Sequence, residues 1–293
     1  MPKRINKAIE LLEQGQPVYM VGAGDVSYEG GKAMAKTWAD MLRVGMEHGP
    51  FDVRALRDFM RGLVDGGTTN SGHRTPAVIV ELPVVGTSEF MIEANSWMFK
   101  QVLATGIHGI LLCHANLPEA VKGFVEHCRY PFPSQGVGEG LDLGKRGSAG
   151  QAMAGEIWGL SGPEYVEKAD VWPLNPHGEM ILGLKIENRI ALANVERITK
   201  VPGISYAEWG PGDMGFSFGY MDAHDPPYPP EMVEARSKII ATCQEAGWFF
   251  FEAVTAETVV ALIETGINIC GCDADGEEIA RIGRTYTRRI MPV

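Results

Sequence analysis

Along this chain, short apolar runs recur with amphipathic, helix-favouring stretches between them. The runs are VYMVG (18–22), MLRVGME (41–47), AVIVEL (77–82), GILLCH (109–114), MILGLKIE (180–187), ISYAEWG (204–210), WFFFEA (248–253) and NICGC (268–272), each close to turn or breaker residues. They are continuously hydrophobic rather than alternating, as strands are when a parallel sheet is buried on both faces. Among the intervening stretches, FDVRALRDFMRGLVDGG (51–67) reads as a helix capped by Asp52 and stopped by glycines. Eight strand–helix units predict a closed (β/α)8 barrel, taken as a single domain over residues 1–293.

One stretch breaks the rhythm. Residues 130–163, after the fourth unit, are rich in Gly, Pro and Ser and show no periodicity, which predicts a long glycine-rich insertion loop. Lys145, Arg146 and Trp158 are the residues there that would help close it over a substrate, against the plainer reading of a solvated or interface loop.

Composition narrows the partners more than the fold. The chain has 293 residues, 45% hydrophobic, with a formal net charge of -11 and no Lys/Arg-rich cluster, which argues against nucleic acid and anionic membranes. No apolar run approaches the ~18 to 20 residues that cross a bilayer, and the opening MPKRINKAIELLEQGQ is an amphipathic helix rather than a secretory signal, so the expected location is cytoplasmic. The five cysteines lack zinc-like pairing, Cys270 and Cys272 being separated by one residue, and are expected as reduced buried thiols.

In a (β/α)8 barrel the chemistry sits where the strands end. There the sequence places Glu47 and His48, Glu81, His114, Glu187 and, in WGPGDMG, Asp213, with Glu252 and Asp273 after the last two runs. Carboxylates and imidazoles converging on one mouth need a counter-charge, and oxygen-rich donors suit a divalent cation: Mg²⁺ or Mn²⁺, with Co²⁺ or Zn²⁺ if a histidine joins. Lys185 lies two residues before Glu187 on the same strand face, and Glu81 from another strand is a plausible partner for it.

The segments RVGMEHGPFDVRALRDFM, GIHGILLCHANLPEAV with CRYP, EYVEKAD, LKIENRIALANVERITKVPGISYAEWGPGDMGFSFG and ETGINICGCDADGEEI resemble, in order, the class II pyruvate aldolases related to 4-hydroxy-2-oxoheptanedioate aldolase. The resemblance implies cleavage of 4-hydroxy-2-oxo acids to pyruvate and an aldehyde by a homo-oligomer, hexameric or trimeric. It implies Glu187 and Asp213 as metal ligands and His48 as the histidine serving the base, with Glu47 beside it. The backbone of Gly210, Pro211 and Gly212 is implied to hold the substrate carboxylate, with Trp209 and His114 alongside.

The pattern departs from the family where it matters most. An arginine that steadies the enolate is expected at the end of the third strand, and this chain has Glu81; the aspartate expected two residues ahead of Glu-His is Gly45. Three roles for Glu81 stay open at this point: a further metal ligand, a partner of Lys185, or a base acting on a different substrate. The reading is a metal-dependent retro-aldol lyase whose substrate differs from the family's usual diacids. Its alternatives are a Lys185 Schiff-base lyase and a non-catalytic barrel binding a metal or small acid.

Overall fold

Residues 2–293 are described by a computed structural model, in which all eight predicted runs become strands of one parallel sheet. In chain order the strands are β1 Val18–Gly22, β2 Met41–Gly45, β3 Ala77–Val85, β4 Gly109–Cys113, β5 Val171–Trp172, β6 Met180–Lys185, β7 Tyr206–Glu208, β8 Phe249–Ala253 and β9 Ile269–Gly271. The order β4-β3-β2-β1-β9-β8-β7-β6 is closed by pairing of β4 with β6, and helices lie between successive strands of this ring of eight, so the predicted (β/α)8 barrel is the fold. The two-residue β5, which the hydrophobic pattern does not mark, pairs with the start of β6.

Alternation along the strands sorts side chains into two cores. Val18, Met20, Met41, Ala77, Ile79, Leu111, Ile181, Tyr206, Phe251 and Ile269 fill the barrel interior. The N-terminal helix Lys7–Glu13 adds Ala8, Ile9, Leu11 and Leu12 to that cluster, plugging the end where the strands begin. The opposite parity, including Leu42, Val80, Leu112, Leu184 and Phe250, packs outward against the helices. Those helices form where the sequence signals them: Asp52 accepts from the Ala55 N–H at 2.9 Å to cap Val53–Asp65, an interaction typically worth ~1 kcal/mol.

At the plugged end Asp40 is fully buried just before β2. Arg289 Nη1 and Nη2 donate to its two oxygens at 2.7 Å each, Arg284 Nη2 lies at 3.2 Å, and the Tyr19 N–H donates to it at 3.1 Å. Lys7 Nζ, also buried, stands 3.1 Å from Asp40 Oδ1 without hydrogen-bond geometry. One carboxylate thus ties the plug helix and the C-terminal segment to the barrel.

Residues 130–163 are not one loop. They contain the helix Gln151–Trp158 and run into a second helix, Gly162–Lys168. The three side chains expected to close over a substrate instead anchor this segment to the barrel's flank. Trp158 Nε1 donates to Gly106 O at 2.8 Å, Arg146 Nη2 donates to the Tyr165 hydroxyl at 2.9 Å, and Lys145 Nζ lies 2.7 Å from Glu93 and 3.2 Å from Glu126. All five cysteines are free and buried, as expected, and among the described residues no helix is long and apolar enough to cross a membrane.

Trp158 also stacks on His108, whose Nδ1 accepts the Val78 N–H at 3.1 Å. Complete burial pushes the His108 imidazole down to about 3. An unfolded chain would take up a proton there near pH ~6.5, so the stabilisation is whole above that value and is lost as pH falls towards 3. Thermal melts between pH 7 and 4 should therefore show a smaller decline for His108→Gln than for the unaltered protein; parallel declines would remove His108 as a cause.

Candidate metal centre

Three strands and one helix bring the polar side chains together at the end of the barrel opposite the plug. Glu47 follows β2, His114 follows β4, Glu187 follows β6, and Asp213 lies in the first turn of the helix Pro211–Phe218 after β7. Each offers one potential ligand atom, and the four atoms lie within 4.8 Å of one another. A second group, Glu47 with Glu81 and Cys113, meets the same spacing and shares Glu47 with the first.

Local backbone shape makes this convergence possible. His114 sits in the left-handed region at φ 47°, an uncommon state for a residue with a side chain, and its N–H donates to Glu187 Oε1 at 2.6 Å. Its Nδ1 is 3.5 Å from the same oxygen, and its Nε2 is 4.0 Å from Glu47 Oε1. Behind it Asn188 caps the helix Arg189–Ile198 through the Ile190 and Ala191 amides, and its Nδ2 donates to Asn116 Oδ1 at 2.7 Å. Gly210, at φ 51°, must be glycine: a Cβ there would come within 2.6 Å of Glu187 Cβ and Oε2.

Lys185 supplies the positive charge. Its Nζ lies 2.6 Å from Glu47 Oε2, pairs with Glu81 Oε1, and stands 4.0 Å from Glu187 Oε2. Glu81 is therefore ion-paired with Lys185, the second of the three arrangements the sequence left open. Burial pulls the Lys185 ammonium down, but Cys113, Glu208, Glu187 and Glu81 raise it more, and it is held protonated. A Schiff-base nucleophile must be a neutral amine, so this environment opposes that reading. Glu47 is half-buried, which raises its carboxyl, yet its hydrogen bond with Lys185 holds it below the usual carboxylate range.

Glu187 has the opposite balance. Burial pushes its carboxyl up to about 8, Lys185 and the His114 amide pull it down, and Glu47 and Asp213 push it up again. A buried carboxylate crowded by two others is short of counter-charge, and this donor set of three carboxylates and an imidazole fits a divalent cation.

Several expected residues stand elsewhere. His48 is at the rim with its side chain 81% exposed and Nε2 3.5 Å from Glu47 Oε2, because Glu47 takes the inward parity. Gly212 is near His224, the imidazole lying 3.1 Å from where its Cβ would be. Trp209 does not face the mouth: it is buried in the outer core, edge-on to Tyr228 at 5.0 Å. Glu252 also points outward, into a bidentate pair with Arg236 at 2.7 and 2.5 Å, and Asp273 is exposed beyond β9. Sequence reasoning missed Arg43 and Glu208, whose Nη1 and Oε2 are 3.4 Å apart inside the barrel. Counting back in twos from Glu47 and Gly210 gives both the inward parity.

Comparison with known proteins identifies the family and the fold. The family model described as HpcH/HpaI aldolase/citrate lyase matches residues 32–280. A hydroxypyruvate/pyruvate aldolase of Roseobacter denitrificans is 26% identical over 221 residues, 75% of this chain and 73% of that protein. A 2-keto-3-deoxy-L-rhamnonate aldolase of Klebsiella pneumoniae is 28% identical over 172 residues, 58% of this chain and 57% of its own length. The crystal structure of a protein of the same family from Burkholderia cenocepacia superposes with a TM-score of 0.71 at 21% identity, covering 96% of this chain and 97% of that one, and has the same fold.

Proposed function

The chain belongs to the HpcH/HpaI aldolase/citrate lyase family, and from that premise we propose that it is a metal-dependent carbon–carbon lyase of retro-aldol type. The observation that carries the reading is the convergence of Glu47, His114, Glu187 and Asp213 at the barrel mouth, with their ligand atoms within 4.8 Å. Glu187 and Asp213 would hold the ion, with Glu47 and His114 in reach of it. Mg²⁺ or Mn²⁺ suits the oxygen-rich donors best, and His114 accommodates Co²⁺ or Zn²⁺. When bound, the ion supplies Lewis-acid charge at the carboxylate and keto oxygens of a 2-oxo acid.

The chain's own groups divide the remaining work. At the start of the helix Pro211–Phe218, where Pro211 has no N–H to give, the Gly210 and Gly212 N–H groups on either side of it would cradle the substrate carboxylate, the helix end favouring negative charge. His48, beside Glu47, takes the proton of the C4 hydroxyl. The C3–C4 bond then breaks, the aldehyde departs, and the bonding pair passes into the enolate of the oxo acid. Protonation at C3 releases pyruvate, or hydroxypyruvate where C3 bears a hydroxyl. The relatives' names favour those two small oxo acids as the common product. The protein would act in the cytoplasm as a homo-oligomer on a small carbonyl substrate, the barrel forming one domain.

The test is turnover of a panel of 4-hydroxy-2-oxo acids, with pyruvate read through lactate dehydrogenase and the reverse aldol addition read with hydroxypyruvate and simple aldehydes. Activity should disappear on chelation and return with Mn²⁺ or Mg²⁺, and borohydride should trap nothing on Lys185. Turnover indifferent to chelation, with borohydride trapping that is lost in Lys185→Met, would replace this mechanism with the Schiff-base one.

A further inference from the structure

We propose that the Lys185 ammonium is a built-in second cation: it fills a cage that would otherwise bind a second ion, leaves the chain with one metal site, and holds its charge where the enolate forms. The proposal rests on the metal-dependent reading above and identifies a role peculiar to this chain's own residues.

The two potential ligand groups share Glu47. Sites that use a pair of divalent ions place them ~3.5 to 4 Å apart with a carboxylate between them. Here the first group, with Glu187 and Asp213, has no ammonium inside it. The second, with Glu47, Glu81 and Cys113, has Lys185 in contact with both carboxylates, Glu47 at 2.6 Å. Its side chain is only 9% exposed, so the charge is committed to the cage rather than shared with solvent. An ammonium has three N–H donors. Glu47 takes one and Glu81 is held in ion-pair contact, while Glu187 Oε2 stands 4.0 Å away on the side next to the first group.

The pairing with Lys185 gives Glu81 a role at the mouth. Glu81, where a cation would be expected to steady an enolate, repels one on its own; paired with Lys185 it instead fixes an ammonium in place. Gly45 makes room, for a Cβ at that position already lies 3.4 Å from Glu81 Oε2 and a longer side chain would contest the carboxylate's space. The arrangement places a cation beside the developing oxyanion without recruiting a second ion from solution.

The experiment counts metal ions. Protein dialysed against Mn²⁺ or Co²⁺ is analysed by elemental stoichiometry, and the Co²⁺ form by its near-ultraviolet spectrum, in which a thiolate ligand gives a charge-transfer band. The unaltered protein should hold one ion per chain with no thiolate band. Lys185→Ala, which empties the cage, should hold two, with a band that disappears in Lys185→Ala/Cys113→Ser. Lys185→Met, which fills the space without charge, should hold one while kcat for cleavage falls ~10²- to 10³-fold, the usual loss of an oxyanion-stabilising group.

One ion in Lys185→Ala, two in the unaltered protein, or undiminished kcat in Lys185→Met would overturn the proposal. No ion in the unaltered protein would instead overturn the metal-dependent reading on which it rests. If Lys185→Ala is unfolded without metal, Co²⁺ should restore its circular dichroism together with the thiolate band, and failure to do so counts against the cage.

Discussion

Replacing Glu187 by Ala should abolish tight binding of the divalent ion and lower kcat/KM for oxo-acid cleavage by on the order of 10³ or more. A Lewis acid contributes several kcal/mol at the transition state, and each ~1.4 kcal/mol is tenfold in rate. Asp213→Ala should behave alike, because the two residues approach the same point from β6 and from the helix after β7. The metal-free fold should survive both changes. Burial and its neighbours Glu47 and Asp213 push the Glu187 carboxyl up to about 8, so relief of that crowding offsets the loss of the hydrogen bond it accepts from the His114 N–H. The check is isothermal titration with Mn²⁺ beside thermal melting in chelator. A Glu187→Ala protein that still binds the ion and turns over would show that the four converging side chains are not the metal centre.

The second large effect lies at the other end of the barrel. Asp40→Ala should cost roughly 3–5 kcal/mol, because removing one member of a buried ionic network strands the others. Lys7 would be left buried with no counter-ion, and Arg289 would lose both of its 2.7 Å contacts. Burial raises the Asp40 carboxyl, but Lys7, Arg289 and Arg284 hold it far below the usual aspartate range, so the network is ionised at neutral pH. Urea denaturation followed by circular dichroism would measure the loss, with Asp40→Asn as the variant that keeps the shape. A shift below ~1 kcal/mol in both would mean that the plug helix and the C-terminal segment hold their places by apolar packing alone.

The barrel was legible in the sequence because its strands are buried on both faces, which leaves runs of Val, Ile and Leu that no surface element imitates. What stayed hidden was short or depended on parity. β5 is two residues long, too short for any period. The helix Gln151–Trp158 is framed by Gly150 and Gly159, both in the left-handed region, and so vanishes into a glycine-rich stretch. Glu252 and Trp209 were grouped with the mouth because they end apolar runs, yet their parity is outward: Phe249 and Phe251 face in beside Glu252, and Glu208 faces in beside Trp209. Lys185 was read correctly as sharing a face with Glu187 and as a partner for Glu81. Its protonation was not legible, because that depends on Cys113, Glu208 and Glu81 as well as on Glu187, and the first three arrive from other strands that no local pattern connects to position 185.

The helix that stoppers the barrel has a kinetic corollary. Because Ile9, Leu11 and their neighbours fill the strand-starting end with apolar atoms, the polar side chains are approached from the opposite end, where the products of the proposed cleavage would leave. Whichever fragment is gripped by the charged floor is last in the queue. In the cleavage proposed above, the oxo acid would be held at Glu47, His114, Glu187 and Asp213 together with the ion, so the aldehyde would leave first.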